Sequence, residues 1–291
     1  MKLRIEFFLA RFVLFTLRRS PRRLALSLGA FYARLLDLAV PRLRRTAFRN
    51  LELAGFPAPR HKPIADGVFS SIGRVIALFA RFPDLNRKNI SDWIRYEGFE
   101  HFERARARGK GVLFATAHLG NWELSAFAHA LLAEPLNIVV RPLDNPFIDS
   151  LVERRRTLSG NRLIDKTDAA RSILRARRKG EAVGVLIDQN SSESEGVFVG
   201  FFGIKACANL AFARIAAHSG AAVVPGFALW DPQLARYTLR FFPEIEITGD
   251  SSSDTQRLQT ILENVIRQYP DQWLWIHRRW KTRPSGEAPL Y

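Results

Sequence analysis

The chain has 291 residues, 47% hydrophobic and 25% charged, which supplies a large core and excludes a disordered or collagen-like chain. Its one cysteine, Cys207, excludes an internal disulfide and a cysteine-rich zinc site, and fits a reducing compartment. The formal charge of +16 is uneven: residues 1–60 hold 13 Lys/Arg against 3 Asp/Glu, a net of +10, a field that suits phosphate in nucleic acid, anionic lipid or an acidic carrier protein.

The first segment, MKLRIEFFLARFVLFTLRRSPRR, does not read as a signal peptide. Arg4, Glu6 and Arg11 interrupt its apolar stretch, and no small-residue cleavage site follows. Phe7, Phe8, Phe12, Val13 and Phe15 beside Arg11, Arg18, Arg19, Arg22 and Arg23 predict a helix lying on a membrane surface, its cations reaching phosphates. Leu24–Val40 reads as a second, mostly apolar helix. Residues 1–40 are therefore expected to form a basic, amphipathic, membrane-associating arm, attached peripherally or monotopically. Residues 41–291 are expected to form one α/β domain. The longest run free of Asp, Glu, Lys and Arg, Ile215–Trp230, has 16 residues, short of the ~20 that a spanning helix needs, and reads as buried core.

Further helices are expected around Arg42–Leu53 and over Ile64–Phe82, separated by a turn containing Pro57, Pro59 and Pro63. From residue 110 short apolar runs rich in β-formers alternate with helical stretches. GVLFATA (111–117), NIVVR (137–141), AVGVLI (182–187) and AVVPGFA (222–228) read as strands. Glu123–Ala133, Phe147–Ser159, Ala169–Lys179 and Cys207–Ser219 read as helices between them. That alternation predicts a mostly parallel sheet covered by helices. YTLRFF (237–242) reads as an edge strand because Pro243 follows at once, and a last helix is expected near Thr255–Tyr269.

The chemistry concentrates in GVLFATAHLGNWE (111–123). His118 follows a strand at its carboxyl end, the edge of an open α/β sheet where ligands bind. Gly120 permits a sharp turn, Asn121 is a good helix cap, and Glu123 falls in the first helical turn. On one continuous helix, His118 and Glu123 would point about 140° apart, but a turn at Gly120 lets them meet. A carboxylate there would fix the imidazole tautomer and stabilise the imidazolium. The same spacing recurs at His61–Asp66 and His129–Glu134, so spacing alone selects nothing; only His118 has strand, turn and helix in order.

ATAHLGNWE resembles the lipid A late acyltransferases, the lauroyl and myristoyl transferases within the lysophospholipid acyltransferase group, whose shared motif is His-x4-Asp/Glu. RNLELAGFP (49–57), RPLDNPFID (141–149), GVFVGFFG (196–203) with GAAVVPGF (220–227), and YPDQWLWIHRRWKTRP (269–284) also look like segments of that family, so the resemblance covers roughly residues 40–284. It implies a glycerolipid-acyltransferase-like fold and transfer of an acyl chain from an acyl carrier protein thioester, or acyl-CoA, to a hydroxyl of a phosphorylated glycolipid. The reaction would run at the cytoplasmic face of the bacterial inner membrane, with no metal or other cofactor. His118 would be the general base and Glu123 its orienting partner. Family-like positions add Arg156, for a phosphate or a developing oxyanion, and Asp188, which ends a predicted strand; Asn121 and Arg141 join them as candidate substrate-binding residues. Phe201, Phe202, Ala208 and Ala211 could bound an acyl tunnel, although ordinary core is the plainer reading of each.

The tail WLWIHRRWKTRP interleaves Trp273, Trp275 and Trp280 with Arg278, Arg279, Lys281 and Arg283, a pattern suited to stacked bases or to a lipid interface. His277 is a possible phosphate contact there. Charge alone would also suit a nucleic-acid-binding protein, but no helix-turn-helix, RRM or zinc pattern is present, and no nucleic-acid partner is expected. Transfer to another lipid, a lysophospholipid, phosphatidylinositol mannoside or aminolipid, fits the same motifs.

Overall fold

The computed structural model describes residues 1–291. Four helices open the chain: α1 (Lys2–Arg19), α2 (Arg22–Ala39), α3 (Pro41–Leu53) and α4 (Ala58–Arg81). Prolines in the first turns of α3 and α4 pre-set the helical φ where no backbone donor is needed. The rest alternates: β1 (Ile94–Glu97), α5 (Phe99–Ala107), β2 (Val112–Thr116), α6 (Trp122–Leu132), β3 (Leu136–Val140), α7 (Pro146–Thr157), β4 (Arg162–Asp165), α8 (Ala169–Arg178), β5 (Ala182–Leu186), β6 (Gly196–Phe201), β7 (Ile204–Asn209), α9 (Ala211–Ser219), β8 (Ala222–Asp231), β9 (Arg236–Phe241) and α10 (Ser251–Gln268).

Seven strands form one sheet in the order β1-β9-β8-β2-β5-β3-β4. The run from β8 to β4 is parallel, and β9 joins it antiparallel to β8. This is the expected α/β architecture. Strand β2 is buried over Val112–Ala115 because helices cover both faces, which explains its uninterrupted apolar run.

Two local expectations are corrected. YTLRFF is not an edge strand: β9 lies between β8 and the four-residue β1, and Pro243 is tolerated because the strand ends at Phe241. The stretch Cys207–Ser219 is not all helix. Residues Ile204–Asn209 form the second strand of the β6–β7 hairpin, and α9 begins only at Ala211. Phe202 and Gly203, at φ 53° and 78°, supply the two positive φ values that a tight hairpin turn requires. Alanine-rich sequence favours a helix locally, but six-residue pairing with β6 overrides that preference.

The arm packs onto the body through α4. Leu14 and Leu17 of α1 are buried, and α2 crosses α4 so closely that a Cβ on Gly29 would stand 2.5 Å from the Gly73 carbonyl oxygen. The opposite faces stay bare: Phe8, Phe12 and Phe15 are about three-fifths exposed, and Leu9, Leu24, Phe31, Leu35 and Leu38 are exposed beside them. Of the expected phosphate-reaching arginines, two are hydrogen-bonded to residues beyond the arm. Arg18 pairs with Asp84 at 2.6 Å, and Arg22 lies 4.2 Å from the Trp93 ring and donates to the Asp92 carbonyl. The helix Ala58–Asp84 is long and apolar enough to cross a membrane, but 61% of its most apolar stretch is buried against the protein, as in a core helix.

The aromatic tail is core, not surface. Trp273, Trp275, Trp280 and Arg279 are at most 1% exposed, and the indoles pack among Phe201, Phe202 and Phe227. Arg279 has no carboxylate partner; it donates to the Cys207 carbonyl at 2.7 Å and to Gln259 Oε1 at 3.1 Å, and burial lowers its pKa to about 10. Of the residues considered for an acyl tunnel, Phe201, Phe202 and Ala208 are likewise buried in the core, while Ala211 is exposed.

Candidate functional site

Strand register builds the site. Thr116 of β2 is paired with Leu186 of β5, and the pairing extends through the Ile187 N–H to the Thr116 carbonyl at 2.9 Å. Two residues beyond each paired position stand His118 and Asp188. The two loops leave the carboxyl ends of adjacent parallel strands, so side chains 70 positions apart in sequence meet there.

Asp188 holds His118 twice. Its Oδ1 accepts from His118 Nδ1 at 2.9 Å, and its Oδ2 accepts from the His118 backbone N–H at 3.1 Å. Trp273 Nε1 also donates to Oδ2, at 3.0 Å. An ionised carboxylate only accepts, so Nδ1 carries the proton and Nε2 is left with the lone pair a base needs. Burial alone would depress the His118 pKa, but the charge and hydrogen bond of Asp188 outweigh it and raise the value above the ordinary range. Burial would raise the Asp188 pKa, and His118 with the indole N–H lowers it instead. The Trp122 ring stands edge-on to the imidazole with centroids 5.0 Å apart.

The carboxylate bonded to His118 is therefore Asp188, and Glu123, which the sequence pattern had nominated for that place, makes no hydrogen bond to the imidazole. Glu123, in the first turn of α6, accepts from Arg156 Nη2 at 2.5 Å and from Nε at 3.0 Å. It acts on His118 only through its charge, which helps raise the imidazole pKa. Burial would lower the Arg156 pKa, and bidentate pairing with Glu123 raises it. Arg156 Nη1 makes no hydrogen bond to the protein, so a cationic donor remains near the His118 imidazole.

Gly120 makes the turn. Its φ is +64°, and a Cβ there would meet the Ala228 carbonyl oxygen at 1.9 Å, so no other residue fits without moving β8. Asn121 is fully buried, and its side-chain oxygen caps α6 by accepting from the Leu124 N–H at 3.0 Å. Arg141, just past β3, is exposed and pairs with Asp144 at 3.0 Å; none of the other candidate residues is bonded to it.

The decoy pairs stay apart. His61 Nε2 meets the Phe56 carbonyl at 2.6 Å, while Asp66 is taken by Arg44 and Lys62. Glu134 pairs with Arg106, and His129 sits 2% exposed in an aromatic cage that includes Phe102 and Phe114, with neither nitrogen bonded. Burial, with Arg106 nearby, lowers the His129 pKa to about 3. An unfolded chain binds this proton near pH 6.5, so His129 subtracts stability as pH falls from about 6.5 towards 3, by up to about 1.4 kcal/mol per pH unit. Denaturant unfolding at pH 7 and pH 5 should show a smaller acid loss in His129→Phe than in wild type. Equal losses in the two proteins would mean that this histidine is not held neutral.

Two residues of the site, Trp122 and Trp273, escaped sequence reasoning, and His277, read as a possible phosphate contact, instead meets the loop of Asp188. Trp122 lay inside the motif, but nothing local marks a ring that packs on the histidine. Trp273 and His277 lay in the aromatic-basic tail, whose composition pointed outward. His277 Nε2 accepts from the Asn190 backbone N–H at 3.1 Å, and burial lowers its pKa to about 4.

A family model described as bacterial lipid A biosynthesis acyltransferase matches residues 2–282. The lipid A biosynthesis palmitoleoyltransferase of Escherichia coli is 31% identical over 266 residues, covering 87% of this chain and 85% of that protein. The lauroyltransferase of the same organism is 30% identical over 289 residues, covering 96% and 92%. Its myristoyltransferase is 26% identical over 253 residues, covering 85% and 78%.

Proposed function

Because the chain belongs to the bacterial lipid A biosynthesis acyltransferase family and is an acyltransferase, we propose that it carries a fatty acyl group from an acyl carrier protein thioester to a hydroxyl of a phosphorylated lipid A precursor. The observation that carries this reading is the His118–Asp188 pair at the carboxyl edge of two adjacent parallel strands, with the Arg156 cation alongside.

The residues divide the work. His118 Nε2 takes the proton from the acceptor hydroxyl as its oxygen attacks the thioester carbonyl carbon. The carbonyl oxygen becomes an oxyanion, for which Arg156 Nη1 is the free cationic donor. When the carbon–sulfur bond breaks, the leaving thiolate recovers the proton from His118, which returns the base to its starting state. Asp188 keeps the proton on Nδ1 and stabilises the imidazolium between the two transfers. Incubation with labelled acyl carrier protein thioester and either a lipid A precursor or a lysophospholipid tests the acceptor. Label only in the lysophospholipid would overturn the lipid A assignment.

Attachment to anionic membrane, at the inner-membrane surface, is part of the same proposal. It is supported by the bare phenylalanine face of α1 and the basic excess of the first 60 residues. Deleting residues 1–22 would also remove the buried Leu14 and Leu17, so surface substitutions isolate the membrane contact. The triple variant Phe8→Ser, Phe12→Ser, Phe15→Ser should bind phosphatidylglycerol-containing vesicles roughly 100-fold more weakly, since each ring loses a favourable apolar transfer. Its thermal unfolding should match wild type. Undiminished co-sedimentation with vesicles would place the attachment elsewhere.

A further inference from the structure

The segment after α10 grips both loops of the site. The Leu274 N–H donates to the His118 carbonyl at 3.0 Å, and the Gly120 N–H donates to the Gln272 carbonyl at 2.9 Å, which holds the base loop. His277 accepts from Asn190, and the Asn190 side chain bonds Thr282, which holds the loop of Asp188. Trp273 lies between the two, fully enclosed, with its one polar atom on Asp188 Oδ2.

This bond is separable from the seating of Asp188. The carboxylate is already held by two donors of His118, one on each oxygen. The indole N–H adds a third donor and draws charge towards Oδ2, away from the oxygen that faces the imidazole. A carboxylate given wholly to His118 would hold the imidazolium too firmly, and a protonated histidine is no base.

We infer that Trp273 is a positioning residue that acts through Asp188, its indole N–H sharing the carboxylate's charge so that His118 stays free to accept a proton near neutral pH. The inference rests on His118 being the base. The charged and titratable groups around His118 are Asp188 on the β5 loop, Glu123 on α6, Arg156 on α7 and His277 on the tail; Arg279, also on the tail, acts on Asp188. Only Trp273 changes in the test, so these four side chains and Arg279 are constant.

Trp273→Phe removes the donor and keeps an aromatic ring. Replacement of Trp273 by 3-benzothienylalanine removes the donor at nearly unchanged shape and covers the case in which the phenylalanine variant folds poorly. The His118 titration midpoint, followed by 15N NMR of histidine-labelled full-length protein, should rise by about half a pH unit or more in either variant, the order expected for one lost hydrogen bond. The rate of acyl transfer should fall several-fold at pH 7 and recover at higher pH, because raising the pH restores the neutral imidazole. Trp280→Phe, which removes an equally buried indole with no hydrogen-bond partner, should leave the midpoint and the pH profile unchanged. An unmoved or lowered midpoint in the benzothienyl protein, or a loss of rate that alkaline pH does not repair, would overturn the inference. Because the midpoint is read without turnover, it tests the Trp273 bond even if His118→Ala were to remain active, a result that would instead remove His118 as the base.

Discussion

Asp188→Asn is expected to lower acyl transfer by about 10⁴-fold, and His118→Ala by at least ~10²–10⁴-fold. The reason for the first lies in how the carboxylate is divided. Oδ2 accepts from the His118 backbone N–H and from Trp273, so the asparagine carbonyl oxygen takes that place. Its amide N–H₂ then faces His118 Nδ1 and donates to it, which moves the imidazole proton to Nε2, the nitrogen that must accept. The fold should survive, because the substitution is isosteric. The His118 titration midpoint should also fall, since the carboxylate charge that raises it is gone. Because the two residues act as one unit, the double variant should be little slower than the slower single. His61→Ala and His129→Ala, which share the sequence spacing but not the setting, should turn over normally per folded molecule. Strictly multiplicative losses in the double variant, or wild-type rates for His118→Ala, would rule the pair out.

Breaking the Glu123–Arg156 pair is the second large effect. The two side chains are 13% and 20% exposed, so removing either leaves a mostly buried charge without its partner. Arg156→Met or Glu123→Gln should each cost about 3 kcal/mol of stability, somewhat under the fully buried range because of residual solvent contact. The double variant, with neither charge, should regain most of that stability. Activity should not follow: all three variants should stay roughly 10²-fold slow, because the cationic donor beside the base, or the carboxylate that aims it, is missing. Denaturant unfolding and turnover on the same preparations separate the two quantities. If turnover recovers with stability in the double variant, the pair is only a strut between α6 and α7.

Much of this was legible locally. Short apolar runs rich in β-formers marked β2, β3, β5 and β8, and the helical stretches between and after them marked α6, α7, α8 and α10, because those signals depend on neighbours a few residues away. The strand–glycine–helix order singled out His118 among six histidines, for Gly120 is where the backbone must turn under β8. Tertiary structure decided who meets whom. His118 takes Asp188 because the crossovers through α6, α7 and α8 return β5 to the side of β2, and strand order leaves no trace in a local pattern. Glu123 faces Arg156 for the same reason, although its sequence neighbour is the histidine. The Cys207 segment became a strand because β6 was there to pair with it, and the tryptophan tail became core because it packs against Phe201, Phe202 and Phe227 and bonds the loops of His118 and Asp188. Composition records that these side chains are apolar and cationic; whether such groups face lipid or lie inside depends on which surfaces the rest of the chain leaves uncovered.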